Sequence, residues 1–270
     1  MSGIVTGLYV PGDRPDRFDK AVATGADLVI LDLEDAVAPE AKAGALSAVA
    51  EWLSGRVSNG SAARGPLIQV RVNAGADHEL VALRATGAPI ELRVPKVECA
   101  ADVERIVAVA GDLPIAALVE SALGVENAAA IAAHPAVAHI ALGESDLASD
   151  LGSRDAVVID YARTRLLFAA RAAGLPAPML SAYPDIRDLD GLRADTERGA
   201  RLGWFGRTAV HPSQLAVIAA VFAPTDTETA WARAVLAAVE GGGVATLPSG
   251  EMVDPAMLGR ARTILAARVD

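Results

Sequence analysis

PIAALVESALGVENAAAIAAHPAVAHIALGESDLASDLG, residues 114–152, is the stretch that decides the fold. It contains two short apolar runs, residues 115–119 and 137–142, separated by an alanine-rich stretch of helical character at 128–133. Short apolar runs on either side of a helical segment predict a strand–helix–strand unit. Such a unit is the building block of parallel α/β folds.

An acidic residue follows each of these two runs. Glu120 ends the first run, and Asp146 follows the second across Gly143. In parallel α/β proteins the carboxyl ends of the strands are where ligands bind. Two carboxylates at one edge suit a Mg²⁺ ion, which takes oxygen ligands and keeps several waters for exchange with substrate oxygens. The alternative is that both residues are solvated surface acids.

Composition excludes several classes of function. The chain of 270 residues has a formal charge of −10, which argues against binding to nucleic acid or to an anionic membrane. Aromatic residues make up only 4%, too few for a base-stacking surface. An anionic small molecule would need a local cluster of basic residues or a metal ion.

The single cysteine and the lack of long apolar runs indicate a cytoplasmic protein. Cys99 cannot form an internal disulfide, which fits a reducing compartment. No stretch approaches the ~18 uninterrupted apolar residues of a membrane span. The first residues, MSGIVTGLYVPGD, lack the basic start and apolar segment of a signal peptide.

The whole chain repeats the strand–helix pattern of its central stretch. The predicted strands cover residues 5–10, 28–33, 67–72, 90–94, 115–119, 137–142, 179–182 and 204–210. A helical stretch follows each of them, and eight such pairs match a closed (β/α)8 TIM barrel. An open doubly wound sheet is the alternative, disfavoured because no G-x-G-x-x-G follows the first strand and no Walker loop occurs.

The chain therefore divides into a barrel domain, residues 1–223, and a C-terminal helical extension, residues 224–270. The extension contains two predicted helices around the motif GEMVD, residues 250–254. An appendage of this kind often packs on a neighbouring subunit, and we expect it to contribute to a neighbouring active site.

Charged and polar side chains lie just after most of the predicted strands. They are Gly12, Asp13, Arg14, Arg17, Asp32, Glu34, Asp35, Arg71, Asn73, Lys96, Glu120, Asp146, Tyr183, Asp185 and His211. In a barrel these residues share one rim. Each of them alone has a plainer interpretation: the acids after the second strand could begin a helix, and Lys96 could be an ordinary surface lysine.

Eight motifs, in order, resemble one known family. They are LYVPGDRPDRFDKA (8–21), VILDLEDAV (29–37), VRVN (70–73), VPKVE (94–98), LVESALGV (118–125), ALGESDLASDLG (141–152), GRTAVHPSQL (206–215) and GEMVD (250–254). Together they resemble the citrate lyase β-subunit-like proteins of the HpcH/HpaI aldolase/citrate lyase family. The resemblance spans almost the entire chain and implies a TIM-barrel lyase.

The resemblance also implies roles for individual residues. Glu120 and Asp146 correspond to the Mg²⁺ ligands. Arg71 corresponds to the arginine that binds the carboxylate of the keto acid, a task that suits a planar two-pronged donor. Glu34 and Asp35 correspond to acids that hold metal-bound water and orient Arg71.

Further positions correspond to the binding of coenzyme A and to proton transfer. Gly12, Arg14 and Arg17 correspond to the segment that meets the CoA phosphates, and Lys96 lies near that path. Asp254 corresponds to a tail aspartate that enters an adjacent subunit's site as acid or base. His211 and Gln214 form an HPxQ motif that we interpret as structural support.

The chain departs from the family's pattern at two places. The family often has Ala-Glu-Asp where Glu144-Ser145-Asp146 stand, which keeps the metal position and moves a neighbouring charge by one residue. It often has lysine where Arg207 stands, so a phosphate contact there is in doubt.

The reaction implied is Mg²⁺-dependent cleavage or formation of a 3-hydroxyacyl-CoA, such as malyl-CoA or citramalyl-CoA, with glyoxylate or pyruvate as the keto acid. A homotrimer or hexamer is implied as well. Three alternatives stay open: a citrate lyase β subunit acting on a citryl-acyl carrier protein, a CoA-independent class II pyruvate aldolase, and a catalytically silent scaffold. Whether a thioester hydrolysis follows the cleavage is also open.

Overall fold

Among residues 3–60, 65–239 and 242–267, which the computed structural model describes, seven short strands build one parallel sheet. They are β1 (Thr6–Pro11), β2 (Leu28–Asp32), β3 (Leu67–Arg71), β4 (Glu91–Val94), β5 (Ile115–Val119), β6 (Val137–Leu142) and β7 (Arg207–Ala209). Their order across the sheet is β6-β5-β4-β3-β2-β1-β7. β2 and β5 are buried at every residue, which is typical of strands covered on both faces.

The segment around Leu180 joins the two edges of this sheet. Leu180 forms a parallel bridge with Arg207, and its neighbour Ser181 donates a hydrogen bond from Oγ to the carbonyl oxygen of Leu142 at the end of β6. The segment therefore lies between β7 and β6, where the seventh strand of a barrel belongs. The α/β barrel predicted from the sequence is confirmed.

The helices follow the strands in the predicted alternation. They are α1 (Phe18–Val22), α2 (Lys42–Ser58), α3 (Asp77–Ala85), α4 (Ala100–Ala110), α5 (Ala122–Glu126), α6 (Ala128–Ala132), α7 (Glu144–Leu151), α8 (Ala156–Ala172), α9 (Leu189–Arg201), α10 (Leu215–Phe222), α11 (Asp226–Val239) and α12 (Leu258–Ala267). Short 3-10 turns beginning at Pro15, Pro39, Pro212 and Pro255 precede α1, α2, α10 and α12. Proline suits the first turn of a helix, where its missing N–H would have had no partner.

Two predicted strands are shorter than expected. The seventh, expected at residues 179–182, is reduced to the bridge at Leu180. Pro176 and Pro178 precede it, and proline supplies no N–H for a ladder. The eighth, expected at 204–210, is confined to Arg207–Ala209, because Gly206 has a left-handed φ of 82° that interrupts the extended backbone.

The residues from Ala220 onward form a second compact unit with its own core. Its core consists of Ala232, Val235, Val239, Leu247, Val253 and Ala261, contributed by α11, α12 and a small antiparallel hairpin. The hairpin strands are β8 (Ala245–Thr246) and β9 (Met252–Val253). Trp231 donates from Nε1 to Glu251 Oε2 at 2.9 Å, which fixes the hairpin against α11.

No helix in the described part of the chain combines the length and the apolar character that a bilayer span requires.

Candidate functional site

An arginine surrounded by carboxylates lies at the carboxyl ends of β2 and β3. Asp32 and Arg71 are register partners on these strands, and Arg71 donates from Nε and Nη2 to the two oxygens of Asp32 at 2.7 and 2.6 Å. Its Nη1 donates to Asp35 at 3.1 Å and lies 2.9 Å from Glu34 Oε2. The two-pronged bond to Asp32 fixes the plane of the guanidinium. The structure therefore brings together Arg71, Glu34 and Asp35 as predicted, and adds Asp32 as the residue that orients Arg71.

Two of the acids near Arg71, Glu34 and Glu120, are buried and have raised pKa values. Burial is the main cause that raises the pKa of Glu120 to about 7, and the charges of Glu34 and Asp146 raise it further. Burial likewise raises the pKa of Glu34 to about 7, together with the charges of Asp35 and Asp32, although Arg71 opposes the shift. Carboxylates that repel one another in a desolvated site are a common feature of functional sites.

Lys96 contacts Glu120 through its backbone N–H. Its φ angle of 56° makes it the one non-glycine residue with left-handed backbone in the part of the chain that the structure describes. This strained conformation follows Pro95 and lets the N–H of Lys96 donate to Glu120 Oε2 at 3.1 Å. The side chain is exposed, and its charge acts on Glu34. Lys96 therefore helps to position Glu120 through its backbone, a function that the sequence analysis missed.

Gly143 lies directly against the side chain of Glu120, where no other side chain would fit. A Cβ at position 143 would lie 2.5 Å from Glu120 Oε1 and 2.6 Å from its Cγ. Only a residue without a side chain allows the carboxylate to lie against the backbone at the end of β6.

We expect Gly143→Ala to displace Glu120 and to destabilise the protein by about 1–3 kcal/mol, the usual cost of overpacking. Urea unfolding measures this effect. The matched control is Gly44→Ala in α2, where a new Cβ meets nothing within 4 Å and alanine favours the helix. Equal stability of the two variants would contradict the tight fit at Gly143.

A cavity of about 410 Å³ opens at the carboxyl ends of the strands. Its lining includes Asp32, Asp35, Arg71, Glu120, Asp146, and also Tyr9, Arg93, Leu118, Glu144, Ser145, Ser181 and Thr208. Asp146 reaches it from the first turn of α7 rather than from the strand end itself. The sequence analysis missed Tyr9, Arg93, Ser181 and Thr208. The alternation of polar residues along β3 and β4, Gln69 and Arg71 beside Glu91 and Arg93, is the signal that could have identified Arg93.

The donor set and the charge of this cavity suit a hard divalent cation. Glu34 Oε2 is buried and forms an ion pair with Arg71 Nη1 at 2.9 Å, but it accepts no hydrogen bond within the described residues. Glu120 and Asp146 add negative charge beside this pair. Within the same residues, no group of three or more His, Cys, Asp or Glu side chains is arranged to hold a metal. A cation here would therefore rely on two carboxylates and on oxygens of water or substrate.

Two charged residues near the cavity, Glu144 and Arg207, form ion pairs with other residues of the protein. Glu144 accepts from Arg163 at 2.8 and 2.9 Å, so its charge is neutralised by α8. Arg207 is 2% exposed and donates to Asp195 and to the carbonyl oxygen of Ser181 at 2.6 and 2.9 Å. The doubt about a phosphate contact at Arg207 is therefore resolved: this guanidinium binds inside the protein.

The residues predicted to meet CoA lie on the loop after β1, outside the cavity lining. Gly12 is buried, and a Cβ there would lie 2.8 Å from the carbonyl oxygen of Asp32, so the loop packs directly against β2. Arg17 is exposed, and so is Arg14, which pairs with Asp16 at 2.9 Å. The structure places these cations at the same end of β1 as the cavity, where an anionic group could reach them from solvent.

His211 and Gln214 stabilise the turn after β7. Gln214 is fully buried, accepts from the N–H groups of Val210 and His211, and donates to the carbonyl oxygen of Tyr183 at 3.0 Å. These bonds agree with the structural function predicted for the motif.

Asp254 belongs to the C-terminal unit. It begins the 3-10 turn Pro255–Met257 and accepts from the N–H of Ala256 at 2.8 Å. Its carboxylate is partly exposed.

The raised pKa values predict a pH-dependent stability of the metal-free protein. Between pH 4.5 and 7 the folded state binds more protons at Glu34 and Glu120 than the unfolded state, whose glutamates titrate near 4.5. The free energy of unfolding should therefore fall as the pH rises from 5 to 8, on the order of 3 kcal/mol for the coupled pair.

Urea unfolding in EDTA at several pH values measures this trend. Glu120→Gln, which does not titrate, should flatten it. A wild-type stability that is constant or rises over this range would contradict the two shifts.

Comparison with known proteins shows the family of this chain. The sequence profile of the HpcH/HpaI aldolase/citrate lyase family matches residues 5–212. A (3S)-malyl-CoA thioesterase of Cereibacter sphaeroides is 39% identical over 96% of this chain and 92% of its own. An L-malyl-CoA/beta-methylmalyl-CoA lyase of the same organism is 31% identical over the same shares.

A solved structure of similar architecture supports the same assignment. The protein CitE from Mycobacterium tuberculosis, in complex with magnesium, acetoacetate and coenzyme A, superposes with a TM-score of 0.81 at 34% identity over 99% of both chains. These relatives are enzymes, lyases or thioesterases. The resemblance inferred from the eight motifs is confirmed, and the chain belongs to the HpcH/HpaI aldolase/citrate lyase family.

Proposed function

We propose that this protein is a Mg²⁺-dependent carbon–carbon lyase that cleaves or forms a 3-hydroxyacyl-CoA, such as malyl-CoA or citramalyl-CoA. The observation that carries the proposal is the cavity itself, in which Glu120 and Asp146 lie with the oriented guanidinium of Arg71. The similarity to a malyl-CoA lyase and to a structure with magnesium and coenzyme A supports it.

Glu120 and Asp146 would hold the metal ion. Both are oxygen donors, and the repulsion between them in a buried site is relieved when a cation binds. When bound, Mg²⁺ neutralises the carboxylate of the oxo acid and polarises its adjacent carbonyl oxygen. Glu34, whose buried Oε2 has no hydrogen-bond partner in the described residues, would accept from water at the metal.

Arg71 would bind the carboxylate of the keto acid and keep it oriented during the reaction. Its own orientation is fixed by Asp32 below and by Asp35 at the rim. In the cleavage direction a general base takes the 3-hydroxyl proton, and the C2–C3 bond breaks with its electron pair remaining on the thioester fragment. A keto acid and a thioester enolate result. Arg71 then holds the keto acid while the enolate is protonated.

Proton transfer to the thioester enolate is assigned to Asp254 of a neighbouring subunit. Its partly exposed carboxylate belongs to the C-terminal unit. Gly12, Arg14, Arg17 and Lys96 are proposed to form the approach of the CoA phosphates, since the cations among them are exposed. This assignment requires a homo-oligomer, for which we propose a trimer or hexamer.

A complementation experiment tests the assignment of Asp254. Asp254→Asn and Arg71→Ala protein should each be inactive. In co-expressed mixed oligomers about a quarter of the sites would combine an intact barrel with a neighbour's intact tail. Recovery of activity toward that level supports the proposal. No recovery would show that Asp254 acts in its own chain or not at all.

A second candidate function is hydrolysis of (3S)-malyl-CoA to malate and CoA. It is favoured by the higher identity to the thioesterase, 39%, than to the lyase, 31%. Hydrolysis would add water to the thioester carbonyl and release the thiol, with the carbon skeleton intact.

Product analysis with Mg²⁺ separates the two candidates. Malyl-, methylmalyl-, citramalyl- and citryl-CoA are each incubated with the protein, and keto acid and free thiol are quantified. A lyase releases one keto acid per substrate and no free thiol. Free thiol with no keto acid would establish the hydrolase, and neither product from any thioester would refute both candidates.

A further inference from the structure

A second arginine faces the cavity beside Arg71. Arg93 on β4 is the register partner of Arg71 on β3, so the two residues are direct neighbours across the sheet. Their guanidinium carbons lie 5.7 and 5.2 Å from the centre of the Tyr9 ring. Both line the same cavity. The carbon–carbon lyase mechanism described above uses only Arg71.

The two guanidinium groups differ in how their charge is compensated. Arg71 is bound by the carboxylates of Asp32 and Asp35 and lies against Glu34. Arg93 donates from Nη1 to the neutral amide oxygen of Gln69 at 2.8 Å. Within the described residues no carboxylate lies within 4.0 Å of Arg93 in an ion pair, and its Nε has no hydrogen-bond partner.

Glu91 is a carboxylate that is linked to Arg93 through one intermediate side chain, Gln69. Gln69 also donates from Nε2 to Glu91 at 2.9 Å, and Glu91 in turn lies 3.0 Å from Nδ1 of His139. Glu91 is therefore hydrogen-bonded by Gln69 and His139, and the charges of Glu91 and Arg93 act on one another without an ion pair within 4.0 Å. Gln69 holds Arg93 in place, and Glu91 compensates its charge only from a distance.

A buried cation without a contacting anion is costly unless a ligand supplies one. Arg93 is 5% exposed, so water compensates it poorly. Each guanidinium fork matches one carboxylate. Arg71 is already contacted by Asp32, Glu34 and Asp35, and one substrate carboxylate is assigned to it. A separate anionic group is therefore required for Arg93.

We propose that Arg93 is a specificity-determining residue that binds a second carboxylate on the oxo-acid part of the substrate. The favoured oxo acid is then a dicarboxylate. Among the possible 3-hydroxyacyl-CoA substrates this favours the citryl type over the malyl and citramalyl types, which release glyoxylate and pyruvate. The volume of about 410 Å³ leaves room for the larger acid. This inference rests on the proposed lyase function, because it assumes that the cavity receives an oxo acid.

Calorimetric titration with a matched pair of ligands tests the inference. Pyruvate and oxaloacetate differ by one carboxylate, and each is titrated into the protein with Mg²⁺. The wild type should bind oxaloacetate about 10- to 100-fold more tightly, the range expected for a charge-assisted bond. Arg93→Gln should lose this preference and keep its affinity for pyruvate. Arg201→Gln on the exposed end of α9 is the control and should behave as the wild type.

The remaining outcomes contradict the inference in distinguishable ways. If Arg93→Gln binds both acids as the wild type does, or loses both in parallel, Arg93 has no part in discrimination. If Arg93→Gln does not fold, Arg93→Lys is the variant to test. It keeps the positive charge but lacks the two-pronged guanidinium, so it should lower the preference for oxaloacetate. An unchanged preference would refute the inference. If the wild type binds neither acid, the proposed function fails, and the inference with it.

Discussion

Arg71→Ala should lower kcat/KM by about 1,000-fold or more, since it removes the charge-assisted bonds that hold the keto acid. The loss should appear in kcat as well as KM, because Arg71 orients the reacting fragment as well as binding it. Steady-state kinetics with whichever thioester proves to be the substrate measures this. Near-normal activity would refute the assignment of Arg71.

The same substitution should also destabilise the fold, which requires a control. Asp32 is 1% exposed and Glu34 is 7% exposed, so both would lose their cation inside the protein. Removing one partner of a buried ion pair costs about 3–5 kcal/mol. Activity must therefore be measured where circular dichroism shows folded protein. Arg71→Lys is the matched variant: it keeps the charge but cannot bind Asp32 with two prongs, and it should restore stability more fully than activity.

Asp146→Asn and Glu120→Gln should each reduce activity by about 1,000-fold, the loss expected when charge stabilisation at the reacting oxygen is removed. EDTA should inactivate the wild type, and added Mg²⁺ should restore it. Asp146 is exposed, so Asp146→Asn should remain as stable as the wild type. Glu120→Gln should be more stable than the wild type in EDTA at pH 8, because it removes a buried repulsion.

Ser145→Ala is the control for both variants, since Ser145 lines the cavity but carries no charge. Full activity of either acid variant, or of the wild type in EDTA, would contradict a metal held by Glu120 and Asp146.

The barrel could be predicted because most of its strands contain short apolar runs that are followed within a few residues by a charged residue. Residues 114–152 show this twice, and the structure places β5 and β6 there with the predicted bounds. The strand prediction was less accurate where proline residues interrupt the apolar run. The segment at Leu180 lies among prolines, and only its neighbours β6 and β7 determine that it completes the barrel.

The rim acids and Arg71 could be predicted, but the interior of the barrel could not. Strand ends are visible in a sequence as the points where apolar runs stop. Whether an internal residue such as Arg93 points toward the cavity or toward the helices depends on the alternation of the strand, and β4 has only four residues to show it. Arg207 is a converse case: the sequence leaves a phosphate contact there in doubt, and the structure shows its guanidinium bound to Asp195 of α9 inside the protein.

The backbone contributions to the site lie beyond a motif-based prediction. Lys96 acts on Glu120 through its N–H, which depends on a left-handed φ angle after Pro95. Gly143 matters because it lacks a side chain, and the need for that space appears only when Glu120 is placed beside it.

The most direct test of the account is electron paramagnetic resonance of Mn²⁺, which takes oxygen ligands as Mg²⁺ does. The wild type should bind one Mn²⁺ per chain, and pyruvate or oxaloacetate should change the spectrum of the bound ion. Glu120→Gln and Asp146→Asn should each bind at least about 10-fold more weakly. Wild-type protein that binds no Mn²⁺, or both variants binding it as well as the wild type, would contradict the claim that these two carboxylates hold the metal.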